Sequence, residues 1–193
     1  MKAVIISAMQ AEVEHLVTEY DIVVSGIGKI NATIATYKTI KKYNPDLIIN
    51  FGTAGSLRKW SYVPRYIEIK GLVDCKYFIQ RDMDARGLGF ELGETPYENN
   101  IPMTITAPDH SINTINSQLI CATGNNFVQS DIDIQADIVD MEAYAIAKTC
   151  YLEKIPFVCF KYISDSADDD APKEFMNNVK KAGKAFTEYL YSL

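Results

Sequence analysis

Basic residues are scarce in this chain: 19 lysines and arginines stand against 25 aspartates and glutamates, a formal net charge of -6 over 193 residues. Phosphate backbones are bound by a basic face, so this balance argues against a nucleic-acid partner and for a small ligand or a protein. Histidine occurs only at His15 and His110, neither at ligand spacing from a cysteine or acid cluster, so the sequence carries no metal signature. The cysteines at 75, 121, 150 and 159 form no Cys-x-x-Cys pair. Three of them lie in apolar segments where a reduced thiol simply packs. All four read as reduced, with Cys150 and Cys159 the pair that would bond if juxtaposed. The nucleophile elbow Gly-x-Ser-x-Gly is missing, which removes the usual serine hydrolase, and so is a Walker-type phosphate loop. No apolar run approaches the ~20 residues of a membrane span. Met1-Lys2 leads directly into a strand-like run without a signal-peptide layout. The expectation from these absences is a soluble, cytoplasmic protein with no cofactor and no metal.

What is present is an alternation of strand and helix signals, the α/β pattern, in a length that suits one domain over residues 1–193. Short runs rich in Val and Ile predict strands over residues 2–7, 21–25 and 47–51, the last followed by the turn-like Gly52-Thr53-Ala54-Gly55. A brief helix through Glu12, Val13, Leu16 and Val17 follows the first strand, and a longer one covers residues 29–43 until Asn44-Pro45-Asp46 breaks it. Strands are further expected at 66–78, 103–106, 119–123, 138–141 and 157–163. Helices are expected at 142–153 and, as one amphipathic element through Phe175, Val179, Ala182, Phe186 and Leu190, at the C-terminus. Residues 81–96 read as an irregular loop rich in glycine and charge.

Two glycine clusters end apolar strands. Gly26-Ile27-Gly28 resembles the start of a dinucleotide fingerprint, but Asn31 stands at the third glycine position and no acidic strand end follows for a ribose. A tight strand–helix turn explains it as well, and so does a helix start that belongs to a smaller ligand pocket. Open α/β sheets bind ligands beyond their carboxyl strand ends, so two such turns suggest a pocket floor. Three carboxylates fall at element ends: Glu12, Glu142 and Asp165. A solvated surface acid is the bland alternative for each. For Glu142 a favourable charge at a helix N-terminus competes. For Asp165 the adjacent Asp168-Asp169-Asp170 competes as a solvated loop or cation site, although it lacks the glycine and final glutamate of a calcium loop.

Five segments, in order, resemble the nucleoside phosphorylase/nucleosidase superfamily, and within it the short bacterial methylthioadenosine/S-adenosylhomocysteine nucleosidases. They are Ile5-Ile6-Ser7-Ala8-Met9-Gln10-Ala11-Glu12, Ser25-Gly26-Ile27-Gly28-Lys29, Ile49-Asn50-Phe51-Gly52-Thr53-Ala54-Gly55, Val139-Asp140-Met141-Glu142-Ala143 and Ile163-Ser164-Asp165. The resemblance implies a mixed, partly barrel-like central sheet flanked by helices in three layers. It also implies hydrolysis of the N-glycosidic bond of 5′-thio-substituted adenosines, with release of adenine. By that likeness Asp165 protonates purine N7, Glu12 activates water and Glu142 binds the ribose hydroxyls. Met141 lies beneath the sugar, Phe127 stacks on the purine and the backbone of Val128 reads its edge. Met9, Ile27, Thr53, Ala54, Gly55 and Ser164 complete the substrate-binding set. Ala85, Leu88, Phe90 and Pro96, in the 81–96 loop, close the pocket of a neighbouring subunit, which implies a homodimer.

Phosphorylases of the superfamily need a glycine-rich, arginine-bearing phosphate site after the first strand. This chain offers Ala8-Met9-Gln10-Ala11-Glu12, whose acid repels phosphate and favours water. The chain also departs from the family. The segment between Glu12 and Gly26 is short, Asn125-Asn126 replaces an acidic-small pair, Lys161 stands in place of an arginine and Leu88 in place of a bulkier aromatic. The region after Asp165 is compressed, which leaves its usual pocket aromatic unassigned, with core as the simple alternative for Phe175. These departures bear on the 5′ substituent and keep three alternatives open: another nucleoside such as futalosine, phosphorolysis, or a nucleoside-binding module without turnover.

Overall fold

The structure, a computed structural model, describes residues 1–57, 69–130 and 132–193. Its strands are β1 (Ala3–Ser7), β2 (Asp21–Val24), β3 (Leu47–Ser56), β4 (Gly71–Gln80), β5 (Ile105–Thr106), β6 (Leu119–Thr123), β7 (Ile138–Asp140) and β8 (Phe157–Asp165). Its helices are α1 (Gln10–Val13), α2 (Lys29–Tyr43), α3 (Ala143–Glu153), α4 (Ala171–Asn178) and α5 (Lys181–Leu190). Strand β3 pairs parallel with β8, β8 antiparallel with β4, β4 parallel with β6, β6 parallel with β7, and β7 antiparallel with β3. That circuit closes a mixed barrel. β1 and β2 extend the sheet in parallel from β3, and β5 adds an antiparallel edge to β4.

The alternation of side chains along the strands fixes the layers. Val4, Ile6 and Ile48 face a core shared with Ala32 and Ile40 of α2 and with Tyr144, Ile146 and Cys150 of α3. Ala3, Ile5, Leu47, Ile49 and Phe51 point the other way, toward Val13 of α1 and Ala182 and Phe186 of α5. Strands buried on both faces read as continuous apolar runs, which is why 2–7 and 47–51 stand out in the sequence. Phe186 anchors the second layer, stacked on Phe51 with ring centroids 4.3 Å apart and tilted against Phe160 at 5.3 Å. Such pairs add about 0.5–1.5 kcal/mol beyond the area they bury. Among the described residues no helix is long and apolar enough to cross a membrane.

Several expected boundaries are corrected. β3 does not stop at Phe51: Gly52-Thr53-Ala54-Gly55 continues as strand, paired with β8 out to Gly55 across a register shift after Ala54. Interstrand bonds to β8 override the turn preference of the glycines. α1 ends at Val13, so Leu16 and Val17 lie outside the brief helix. The C-terminal helix is two helices. Gly183 of α5 lies so close to α1 that a Cβ there would come within 2.9 Å of the Leu16 nitrogen, and the chain breaks at Val179-Lys180 to bring α5 onto that contact. The strand expected at 66–78 runs over Gly71–Gln80, and residues 66–68 of the expectation lie outside the described ones. The four cysteines are free and buried.

Candidate active site

Glu12 enters the site because α1 begins directly after β1. Its Oε2 accepts hydrogen bonds from the Ser7 hydroxyl at 2.8 Å and from the Ala8 and Met9 N–H groups at 3.1 Å each. Its Oε1 accepts from the Thr53 N–H and hydroxyl, both at 2.7 Å. A carboxylate is an acceptor-only group, and five donors from two segments hold this one rigidly while it is buried. Gly52 permits the approach: a Cβ there would lie 3.1 Å from Glu12 Oε1.

Asp165 ends β8, beside the same stretch of β3. Its Oδ2 accepts from the Ser164 hydroxyl at 2.7 Å and its Oδ1 from the Ala167 N–H at 3.0 Å. Burial pushes its carboxyl above the usual carboxylate range, against both of those bonds. Gly55 leaves it room, since a Cβ there would fall 2.6 Å from Asp165 Oδ1. The two glycines of β3 thus each make space for one acid.

Glu142 precedes α3, where the Gly28 N–H donates to its Oε1 at 2.8 Å. Gly26 and Gly28 both adopt positive φ, +86° and +92°, so the Gly26-Ile27-Gly28 turn depends on glycine and starts α2 with a free N–H aimed at this acid. The turn therefore belongs to a small ligand pocket and not to a dinucleotide fingerprint. Burial, then the neighbouring Asp140 charge, raise the Glu142 carboxyl to about 7, opposed by Lys161 and the Gly28 N–H. Asp140 itself is paired with Lys161 at 2.8 Å, both side chains 1% exposed. Against the cost of burial, Lys161 holds Asp140 below the usual carboxylate range. Asp140 also accepts from Thr123 Oγ1 at 2.5 Å and from the Ala143 N–H at 2.8 Å, while Thr123 Oγ1 accepts from the Tyr144 N–H at 2.9 Å. Asp140 and Thr123 thereby satisfy two free N–H groups of the first turn of α3 and set the direction in which Glu142 leaves it. Stripping a buried ion pair of one partner costs about 3–5 kcal/mol, so the pair acts as a unit.

These groups meet in one cavity of about 480 Å³. Met9, Glu12, Ile27, Thr53, Ala54, Gly55, Phe127, Val128, Met141, Glu142, Ser164 and Asp165 all line it. Every residue expected to bind or act on substrate from within the chain is placed there. Phe127 is 41% exposed, and its ring meets Phe175 edge-on at 5.9 Å. Phe175 is accordingly a cavity residue of α4 and not core, because α4 lies over the end of β8. Pro172 and Met176 of the same helix line the cavity with it. Arg81, Asn126, Gln129, Val139 and Asp140 line it too and were not expected. Asp140 shared its segment with Glu142 and was the one open to discovery by the same argument. Nothing in the sequence around Arg81 separates it from the loop that follows. Ala85, Leu88, Phe90 and Pro96 do not reach this cavity: Leu88 is exposed, and Phe90 packs edge-on against Tyr97 at 5.5 Å. Asp168, Asp169 and Asp170 are exposed where α4 begins. Among the described residues no group of three His, Cys, Asp or Glu side chains is placed to hold a metal ion.

The family model described as "Phosphorylase superfamily" matches residues 17–193. A 5′-methylthioadenosine/S-adenosylhomocysteine nucleosidase of Staphylococcus saprophyticus is 35% identical over 182 residues, covering 85% of this chain and 76% of its own. One from a Shewanella species is 30% identical, covering 95% of this chain and 94% of its own. The crystal structure of the nucleosidase of the same name from Neisseria meningitidis, in complex with methylthio-immucillin-A, superposes with a TM-score of 0.80 at 27% identity and covers all of both chains.

Proposed function

Because this chain belongs to the phosphorylase superfamily, and within it to the methylthioadenosine/S-adenosylhomocysteine nucleosidases, we propose that it hydrolyses the N-glycosidic bond of 5′-thio-substituted adenosines and releases adenine. The observation that carries this reading is the convergence of Glu12, Glu142 and Asp165, from three distant segments, on a single cavity.

Breaking the bond leaves positive charge on the ribose and negative charge on the departing purine. A base stacked on Phe127, with its edge against the Val128 backbone, directs N7 toward Asp165. Burial shifts the Asp165 carboxyl toward the protonated form that N7 needs, and Ser164 orients it. Glu142 in its ionised form accepts from the ribose hydroxyls, and its charge stabilises the oxocarbenium-like transition state above Met141. Glu12 orients the attacking water and takes its proton, with Thr53 Oγ1 the donor that rotates aside to free a lone pair. Phosphorolysis is disfavoured by the same geometry. The Ala8 and Met9 N–H groups, the backbone donors an anion would want after β1, are already filled by Glu12 Oε2.

The cavity mouth supports a homodimer. Ile27 lines the cavity, and the adjoining face of α2 exposes Ile30, Ile34 and Tyr37. None of Ala85, Leu88, Phe90 and Pro96 lines its own cavity, in keeping with service to a second copy.

The test is chromatographic. Incubation with methylthioadenosine is expected to release adenine without added phosphate. Asp165→Asn should lose most of that activity, and Glu12→Gln should stop turnover while nucleoside still binds. A requirement for phosphate would convert the reading to phosphorolysis, tight binding without product to a binding module, and a preference for futalosine in a panel of 5′-modified nucleosides would move the substrate.

A further inference from the structure

Phe127 and Val128 approach the cavity from the turn Gly124-Asn125-Asn126, which has no regular structure and whose two asparagines are exposed. Such a turn positions a ring poorly unless something grips it. The end of β4 does so. Arg81 donates from Nη1 to Asn126 Oδ1 at 2.8 Å and from Nη2 to the Asn126 carbonyl. Asp82 Oδ2 accepts from the Asn125 N–H at 2.9 Å. From the other side, the Lys29 N–H at the start of α2 donates to Asn125 Oδ1 at 3.0 Å, and Lys29 Nζ bonds both Asp82 and Gln80. The guanidinium packs against Gly124, where a Cβ would fall 2.6 Å from its Cζ. Its Nε is buried with no hydrogen-bond partner among the described residues, and each terminal nitrogen keeps one further N–H.

Arg81 is the one lysine or arginine among the described residues lining the cavity, so an anionic ligand group is the obvious guess. The geometry argues otherwise. Each terminal nitrogen bonds Asn126 and Nε is buried, so the fork already has a bidentate partner within the protein. We propose that Arg81 is a positioning residue for base recognition: by gripping the side chain and the carbonyl of Asn126 together, it sets where the Phe127 ring and the Val128 backbone meet the purine. The inference rests on the nucleosidase reading above and deepens it. The Arg81 fork bonds only Asn126, whereas Glu142 on the ribose side takes its donor from the Gly28 N–H, so the two contacts can be perturbed separately.

That independence supplies the experiment. Adenine and a base-free iminoribitol are titrated calorimetrically into the wild type and Arg81→Met. Loss of a charge-assisted bidentate contact is expected to weaken adenine about tenfold, with the iminoribitol unchanged within roughly twofold. KM for methylthioadenosine should rise by a similar factor while kcat changes little. Asn126→Ala, an exposed position that leaves the core alone, should weaken adenine in the same sense by less, and Arg81→Met should then cost less in that background than in the wild type. Wild-type adenine affinity in Arg81→Met overturns the inference, as does equal weakening of both ligands, which would mean general loosening. A wild type that binds no adenine would instead remove the nucleosidase reading itself.

Discussion

At the scale of single residues, the chemistry depends on acids in unequal surroundings. Glu12 accepts five hydrogen bonds, Asp165 two, and Glu142 one from the protein, with the charge of Asp140 close by. Glu142 is thus the acid that most lacks donors, and on the proposed reading the ribose hydroxyls supply them. Its carboxyl is raised from 4.5 to about 7 in the folded protein. A carboxyl raised by folding contributes stability that is present below pH 4.5 and lost as pH climbs to about 7. Glu142→Gln removes that dependence. Its stability relative to the wild type should therefore improve steadily across this window and level off above it, by an amount on the order of 3 kcal/mol. Nucleoside affinity of the wild type should rise across the same window, because ribose hydroxyls donate to the ionised form. Thermal melts of both proteins from pH 4.5 to 8 check it. A difference that stays constant with pH would show that Glu142 is not the titrating group. That Glu12, Glu142 and Asp165 sit at element ends was legible in the sequence. That Glu142 is the one pushed near neutrality was not, because its burial and the balance of the Asp140 charge against Lys161 exist only once β7 and β8 are packed.

At the scale of elements, β3 joins the two ends of the mechanism. Its Gly52 and Gly55 lie against Glu12 and Asp165, and neither needs glycine for its backbone angles; each needs it for the missing side chain. Gly55→Ala would press a methyl group within 2.6 Å of Asp165 Oδ1, so the carboxyl must move. A displacement of that kind is expected to lower kcat about a hundredfold. Gly52→Ala, at 3.1 Å from Glu12 Oε1, should be milder. Steady-state kinetics on the two variants, with circular dichroism to confirm folding, make the comparison, and undiminished turnover in Gly55→Ala would contradict it. The strands and helices with strong apolar patterns were readable: α2 runs over residues 29–43 and β6 over 119–123, both as expected. The readings failed where partners decide. β3 outran its apolar core because β8 pairs with its glycines, and the C-terminal helix split because α5 must reach Leu16.

At the scale of the whole molecule, the barrel gathers the site and the surface around it proposes an assembly. Exposed Ile30, Ile34 and Tyr37 on α2, next to the cavity residue Ile27, leave an apolar stripe that a second copy would cover. In the homodimer proposed above, Ile30→Asp is expected to shift the protein from dimer to monomer in analytical ultracentrifugation and to raise KM, because the loop of Leu88 and Phe90 would leave the neighbouring pocket. A wild type that sediments as a monomer at micromolar concentration would exclude that arrangement.

The amino-acid sequence alone determined the α/β class, the element ends at which Glu12, Glu142 and Asp165 stand, and the family, because alternation, glycine turns and short motifs are local properties of the chain. Only the tertiary structure decided that Arg81 and Phe175 belong to the cavity, that Asp140 and Lys161 lie buried beneath it, and that Leu88 and Phe90 stay outside it. Those assignments depend on which strands close the barrel and where α4 folds back over β8, contacts made between residues far apart along the chain that no local pattern encodes.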